Sequence, residues 1–203
     1  MTSGHRVLLA TMLLAACAGV AYGDEPTAQV RDGPLQLAEM PGASVYRIGV
    51  PLELAGGRTL RFQEIAGRPA VVTMFYSSCT VVCPMLTLAM QRIEAALAPA
   101  LRDRVAFVMV SIDDQRDTPA VLAEFAAAHH IDASRWIVAH AAAGDVRTLA
   151  AVLGIRYRRL PDGSYSHSSV ITLLDSVGVP LAHTQDLTGS DPDFLEALRA
   201  SLP

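Results

Sequence analysis

Residues 70–76, AVVTMFY, carry no charge and show no alternation of polar with apolar side chains. A strand with one wet face reads as period-two alternation, so a continuous apolar run of β-forming residues belongs to a strand covered on both faces. Helices must then pack on either side of it, and the chain supplies them. Pro84 suits the first turn of a helix continuing through MLTLAMQRIEAAL, with Pro99 ending it. Residues 105–112 read as a second buried strand. Asp117-Thr118-Pro119 reads as a cap and a helix-opening proline leading into VLAEFAAAHH. A short strand is expected over 136–139, a helix over 145–153, a strand over 170–174 with a hairpin partner at 180–183, and a last helix over 194–202 capped at Asp191-Pro192. Upstream, 45–54 and 58–62 are β-like runs joined at Ala55-Gly56-Gly57. Strands alternating with helices predict an α/β fold: a central mixed β-sheet flanked by helices, with parallel crossovers first and a hairpin later.

Length and composition limit what that fold can do. With 203 residues, 51% hydrophobic and 18% charged, the chain holds one domain and an appendage and is not intrinsically disordered. All 16 basic side chains are Arg, which excludes Schiff-base lysine chemistry and a Walker-type phosphate lysine. A net charge of −4 argues against nucleic-acid binding.

The appendage is N-terminal. Residues 7–22 are uncharged, follow Arg6 and precede Asp24 and Glu25. They fall short of a comfortable membrane span of about 20 residues but suit a signal-peptide core. Leu14-Ala15-Ala16-Cys17 is similar to a bacterial lipoprotein signal, with cleavage before a lipidated Cys17. Ala21-Tyr22-Gly23 offers ordinary cleavage before Asp24. The expected plan is a signal peptide or lipoprotein signal over 1–23, a Pro-, Gly- and Ala-rich linker over 24–44 and the folded domain over 45–203. The expected location is the periplasm or the outer face of a bacterial membrane, with a lipid anchor at Cys17 as one form.

Three cysteines are too few for a disulfide scaffold. With Cys17 in the processing region, Cys79 and Cys83 are the thiols left in the domain. They follow a buried strand just where a helix starts, where amides and the helix dipole favour anions, so thiolate formation is promoted. Three intervening residues depart from the two of thioredoxin-type oxidoreductases. Such a pair can flank an ion or close into a disulfide. Two soft thiolates suit Cu(I), normally with an imidazole as third ligand, whereas structural zinc usually wants four ligands. Of six histidines His167 is the best candidate, in DGSYSHSS directly before the strand at 170–174.

Other residues have plainer readings. Asp113, Asp114 and Asp117 are most simply loop and cap carboxylates, and Arg156, Arg158 and Arg159 a solvated basic loop. His129 and His130 suit a helix C-terminus, while His140 and His183 suit surface or strand-end positions. Met74, Met90 and Met109 have core periodicity; Met85, beside the cysteines, is the methionine to watch.

Three motifs together resemble the Sco/SenC family of thioredoxin-fold copper proteins: Cys79-x-x-x-Cys83-Pro84; a strand ending in Asp113 followed by Arg116-Asp117-Thr118-Pro119; and His167-Ser168 before a strand. They occur in the family's order over roughly residues 45–187. The resemblance implies a thioredoxin-like fold and copper ligation by Cys79, Cys83 and His167. It also implies a metallochaperone role, with delivery to the binuclear copper centre of cytochrome c oxidase subunit II or a related copper enzyme. Cu(I) is the expected ion, and whether Cu(II) also binds stays open. The alternative is a thiol–disulfide oxidoreductase using the pair Cys79 and Cys83 to reduce target cysteines before metallation. Two positions differ from the family pattern: Ser166 stands before His167 where Asp is frequent, and Asp113 is followed by Asp114 in place of Pro.

Overall fold

The computed structural model describes Met1 and residues 40–202. The chain divides into two units, 1–32 and 33–203, and everything below concerns the second. Residues 2–23 of the expected signal segment, Cys17 among them, and residues 24–39 of the expected linker lie outside the described residues. Met40 and Ser44, inside the stretch read as linker, are already buried.

Residues Val45–Ile48 form a 3₁₀ turn where a β-like run was expected. The Ser44 hydroxyl accepts from the Tyr46 amide, and Gly49 ends the turn in the left-handed region at φ 62°. The expected hairpin follows as β1 (Pro51–Leu54) and β2 (Thr59–Arg61), and a second 3₁₀ turn spans Phe62–Ile65. Then come β3 (Ala70–Phe75), α1 (Val82–Ala95), α2 (Pro99–Arg102), β4 (Ala106–Ser111), α3 (Pro119–Ala128), β5 (Trp136–His140) and α4 (Ala143–Val152). The chain continues through β6 (Tyr157–Arg159), β7 (Tyr165–His167), β8 (Ile171–Leu174), β9 (Pro180–Thr184) and α5 (Pro192–Ala200).

Seven strands make one mixed sheet in the order β2-β1-β5-β4-β3-β8-β9. β3, β4 and β5 run parallel, β8 pairs antiparallel with β3, and β9 pairs antiparallel with β8. Every residue of β3 and of β4 is buried, as two-sided covering requires. The helix α1 buries Leu86, Met90 and Ile93, one stripe at helical spacing. It stops at Ala95, before Pro99, which opens the separate turn α2. Met74, Met90 and Met109 are buried in the core, and Met85 is exposed.

Two local expectations change. The basic stretch at 156–159 is largely strand β6, paired antiparallel with β7, and this two-stranded sheet is separate from the main one. The cap of α3 is Thr118, whose hydroxyl accepts from the Val121 amide; Asp117 has a different task.

Candidate functional site

β3 delivers the chain to the carboxyl end of the sheet, where Tyr76 and Ser77 lead into the cysteine loop. The fully buried Asp117 fixes that loop. Its carboxylate accepts from the Ser77 amide at 2.9 Å and from the Ser77 hydroxyl. It also accepts from the Ser111 hydroxyl at 2.5 Å, tying the start of the loop to the end of β4. A carboxylate with three donors tolerates burial because hydrogen bonds replace its water. Sequence reasoning favoured a cap carboxylate here; only the fold shows which backbone Asp117 holds.

Cys79 and Cys83 are both free thiols, Cys79 half-buried and Cys83 buried. The Cys83 amide, in the first turn of α1, donates to Cys79 Sγ at 3.3 Å, so the first sulfur takes the place of a capping side chain. The expected promotion of both thiolates is therefore split. Burial works against ionisation of Cys79, but hydrogen bonds from the Cys83 amide and thiol, the Val81 amide and the Tyr76 hydroxyl outweigh it and lower its pKa. Burial pushes the Cys83 thiol well above its ordinary value, and the neighbouring Cys79 and Asp117 push the same way. Burial likewise raises the pKa of Tyr76, whose hydroxyl donates to the Tyr165 carbonyl at 3.2 Å.

His167 ends β7, on the separate hairpin and not at an edge of the main sheet as its sequence position had suggested. Its Nε2 lies 3.7 Å from Cys83 Sγ, across 84 residues of sequence. Its Nδ1 lies 3.2 Å from the Ser168 carbonyl. A carbonyl can only accept, so Nδ1 carries the proton and Nε2 presents its lone pair to the sulfur. Burial lowers the imidazole pKa, keeping the ring neutral. The ring of Tyr76 stands edge-on to that of His167 at 5.8 Å. A cavity of about 350 Å³ at the hairpin is lined by Arg156, Tyr157, Arg158, Ser166, His167 and Ser168.

The donor set fits a soft ion. With bonds of about 2.3 Å to sulfur and about 2.0 Å to nitrogen, as on zinc, a trigonal angle puts the two donors about 3.7 Å apart. The Cys83–His167 spacing agrees. Cys79 is occupied by the Cys83 amide, and among the described residues no group of three or more His, Cys, Asp and Glu is already gathered for a metal. The structure therefore brings two predicted ligands into register and leaves the third beside them. His129 caps the C-terminus of α3, His140 ends β5 beside Glu53, and His183 lies in β9.

A SCO1/SenC family model matches residues 46–202. The chain belongs to the SCO1/SenC family. Protein SenC of Rhodobacter capsulatus is 35% identical over 89 residues, a match covering 41% of this chain and 38% of that protein's length. Bradyrhizobium japonicum ScoI, solved with copper bound, is 20% identical with a TM-score of 0.62, covering 75% of this chain and 94% of that one. BsSco, a member of the Sco family of cytochrome c oxidase assembly proteins in which a disulfide switch was identified, is 18% identical with a TM-score of 0.63, covering 74% and 90%. At these identities the solved Sco structures establish the fold, and it is the expected thioredoxin-like one.

Three residues beside the candidate ligands or their supporting loops were given no part by the sequence: Tyr76, Tyr165 and Arg116. Arg116 stood inside a quoted motif. The two tyrosines had no signal beyond lying next to the cysteine loop and next to His167.

Proposed function

We propose that this protein is a copper metallochaperone that holds Cu(I) between Cys79, Cys83 and His167. The observation that carries this reading is the pairing of Cys83 Sγ with the bare Nε2 of a neutral imidazole at 3.7 Å, with a second sulfur hydrogen-bonded to the Cys83 amide. Two thiolates and one imidazole are a soft set suited to Cu(I). The copper-bound state of Bradyrhizobium japonicum ScoI supports the choice of metal. Copper would leave by ligand exchange, incoming thiolates of the acceptor replacing the donors one at a time. The proposed acceptor is a copper enzyme of the cell envelope such as cytochrome c oxidase subunit II, in line with BsSco belonging to a family of cytochrome c oxidase assembly proteins. The proposed location is the periplasmic side of a bacterial membrane, with Cys17 lipidated or the signal removed before Asp24. Anaerobic titration of the reduced chain with Cu(I) against a competing chelator tests the site. Cys79→Ser, Cys83→Ser and His167→Ala are each expected to weaken binding; unchanged affinity in any of them removes that ligand.

The contrast between the two cysteines favours a second reading, thiol–disulfide exchange. Cys79 is the more exposed and more readily ionised, which suits attack on a target disulfide. The resulting mixed disulfide would be resolved by Cys83, releasing the target as a dithiol and leaving Cys79–Cys83 oxidised. Reductase activity that survives in His167→Ala while copper binding falls separates the two roles.

A further inference from the structure

The imidazole of His167 is not carried by the seven-stranded sheet. It ends a strand of the two-stranded β6–β7 hairpin, so whatever holds that hairpin to the domain fixes the distance from His167 to Cys83. Arg116 is placed to do this. It lies in the loop between β4 and α3 and points across to the hairpin turn. Its Nε donates to the Asp113 carboxylate, whose side chain is 1% exposed, and its Nη2 donates to the Gly163 carbonyl at 2.6 Å. Its guanidinium carbon stands 5.9 Å from the centre of the Tyr165 ring, and the Tyr165 hydroxyl reaches Asp113 Oδ1 at 3.5 Å. Gly163 adopts φ +81°, a conformation that favours glycine, with Arg116 Nη1 3.7 Å from where a Cβ would stand. Tyr165 is two residues from His167, on the same face of β7.

We propose that Arg116, anchored by the buried Asp113, is a positioning residue of the copper site: it latches the β6–β7 hairpin so that His167 Nε2 stays opposite Cys83 Sγ. The inference rests on the copper reading above. The guanidinium fork is what allows one side chain to take a carboxylate and a carbonyl together. The Tyr76 hydroxyl grips the Tyr165 carbonyl from the β3 side, so loss of Arg116 loosens the hairpin without freeing it. Arg116 touches neither sulfur nor imidazole in any contact above. Its effect on copper passes through the placement of His167.

The test is a double-mutant cycle on the reduced full-length chain, titrated anaerobically with Cu(I) against a chelator and accompanied by thermal melts. Arg116→Ala is expected to weaken Cu(I) binding about 10–100-fold, the range for residues that orient a metal ligand. Arg116→Lys keeps a positive charge beside the buried Asp113, so the fold survives, yet one ammonium cannot reproduce the fork; a smaller loss in the same direction is expected. In a His167→Ala background, Arg116→Ala should change affinity less than about twofold, because the group it positions is gone. Three results overturn the latch alone: wild-type copper affinity in both Arg116 variants, a lowered melting temperature without a change in affinity, or the same factor lost with and without His167. Wild-type affinity in His167→Ala alone overturns the three-ligand reading, and the latch with it.

Discussion

Cys79 and Cys83 are four residues apart, yet their surroundings move their protons in opposite directions. Hydrogen bonding, with the Cys83 amide foremost, favours the Cys79 thiolate, while burial keeps Cys83 protonated. Iodoacetamide added to the reduced chain should therefore modify Cys79 first, with a pH midpoint below that of an ordinary thiol; mass mapping of the labelled peptide checks this, and equal labelling of both sulfurs would contradict the asymmetry. In the proposed site copper must expel the Cys83 proton, since a thiolate is the form that ligates. Apparent Cu(I) affinity should rise with pH across the neutral range by up to about tenfold per unit for each proton released, and competition titrations between pH 6 and 8 read the slope. His167 does not reverse that trend. Its pKa is depressed by burial, so the neutral ring persists below 6.5. The linkage has the matching sign: its contribution to stability is present above 6.5 and is lost as pH falls through the lower folded value.

Among elements, α1 has two duties. Its first turn presents Cys83 and the amide that binds Cys79, and its last turns seat the helix on the sheet. Glu94 does much of the seating: its carboxylate accepts from Arg135 Nε at 2.9 Å and from the buried Trp136 Nε1 at 3.0 Å, joining α1 to the start of β5. Glu94→Ala leaves the Trp136 N–H without its partner and is expected to cost about 1–3 kcal/mol of stability, measured by denaturant melts. The β6–β7 hairpin is the contrasting element. Each of its strands has three residues, and it is tied to the domain by side chains, Arg116 and Tyr76 among them, not by sheet pairing. Such an appendage is the part of the site most sensitive to a single substitution.

For the molecule as a whole, the sheet supplies the rigidity on which the loops depend. Phe107 in β4 is fully buried and stacks on Trp136 with ring centres 5.1 Å apart. Phe107→Ala is expected to cost about 3–5 kcal/mol, read from the same melts. The site gathers on this scale from three places: the loop after β3, the loop after β4, and a hairpin that precedes β8. Parallel β3 and β4 bring the first two to the same edge of the sheet, the place where open α/β folds carry their ligand sites.

Pattern and motif were enough for much of this. Uninterrupted apolar runs dictated β3 and β4, because only a strand covered on both faces can bury every side chain. Thr118-Pro119 and Asp191-Pro192 marked the starts of α3 and α5, since capping and proline geometry are local. The three candidate ligands were likewise legible as residue types in a known order. Tertiary structure decided what no local rule contains. Burial and hydrogen bonding, which are properties of the packed molecule, separate the two cysteine pKa values, and burial keeps His167 neutral. A carbonyl one residue away selects the His167 tautomer, and Arg116 reaches 47 residues along the chain to Gly163. Residue types and their spacing set which atoms could meet, whereas distance, desolvation and hydrogen-bond partners exist only once the chain has closed around them.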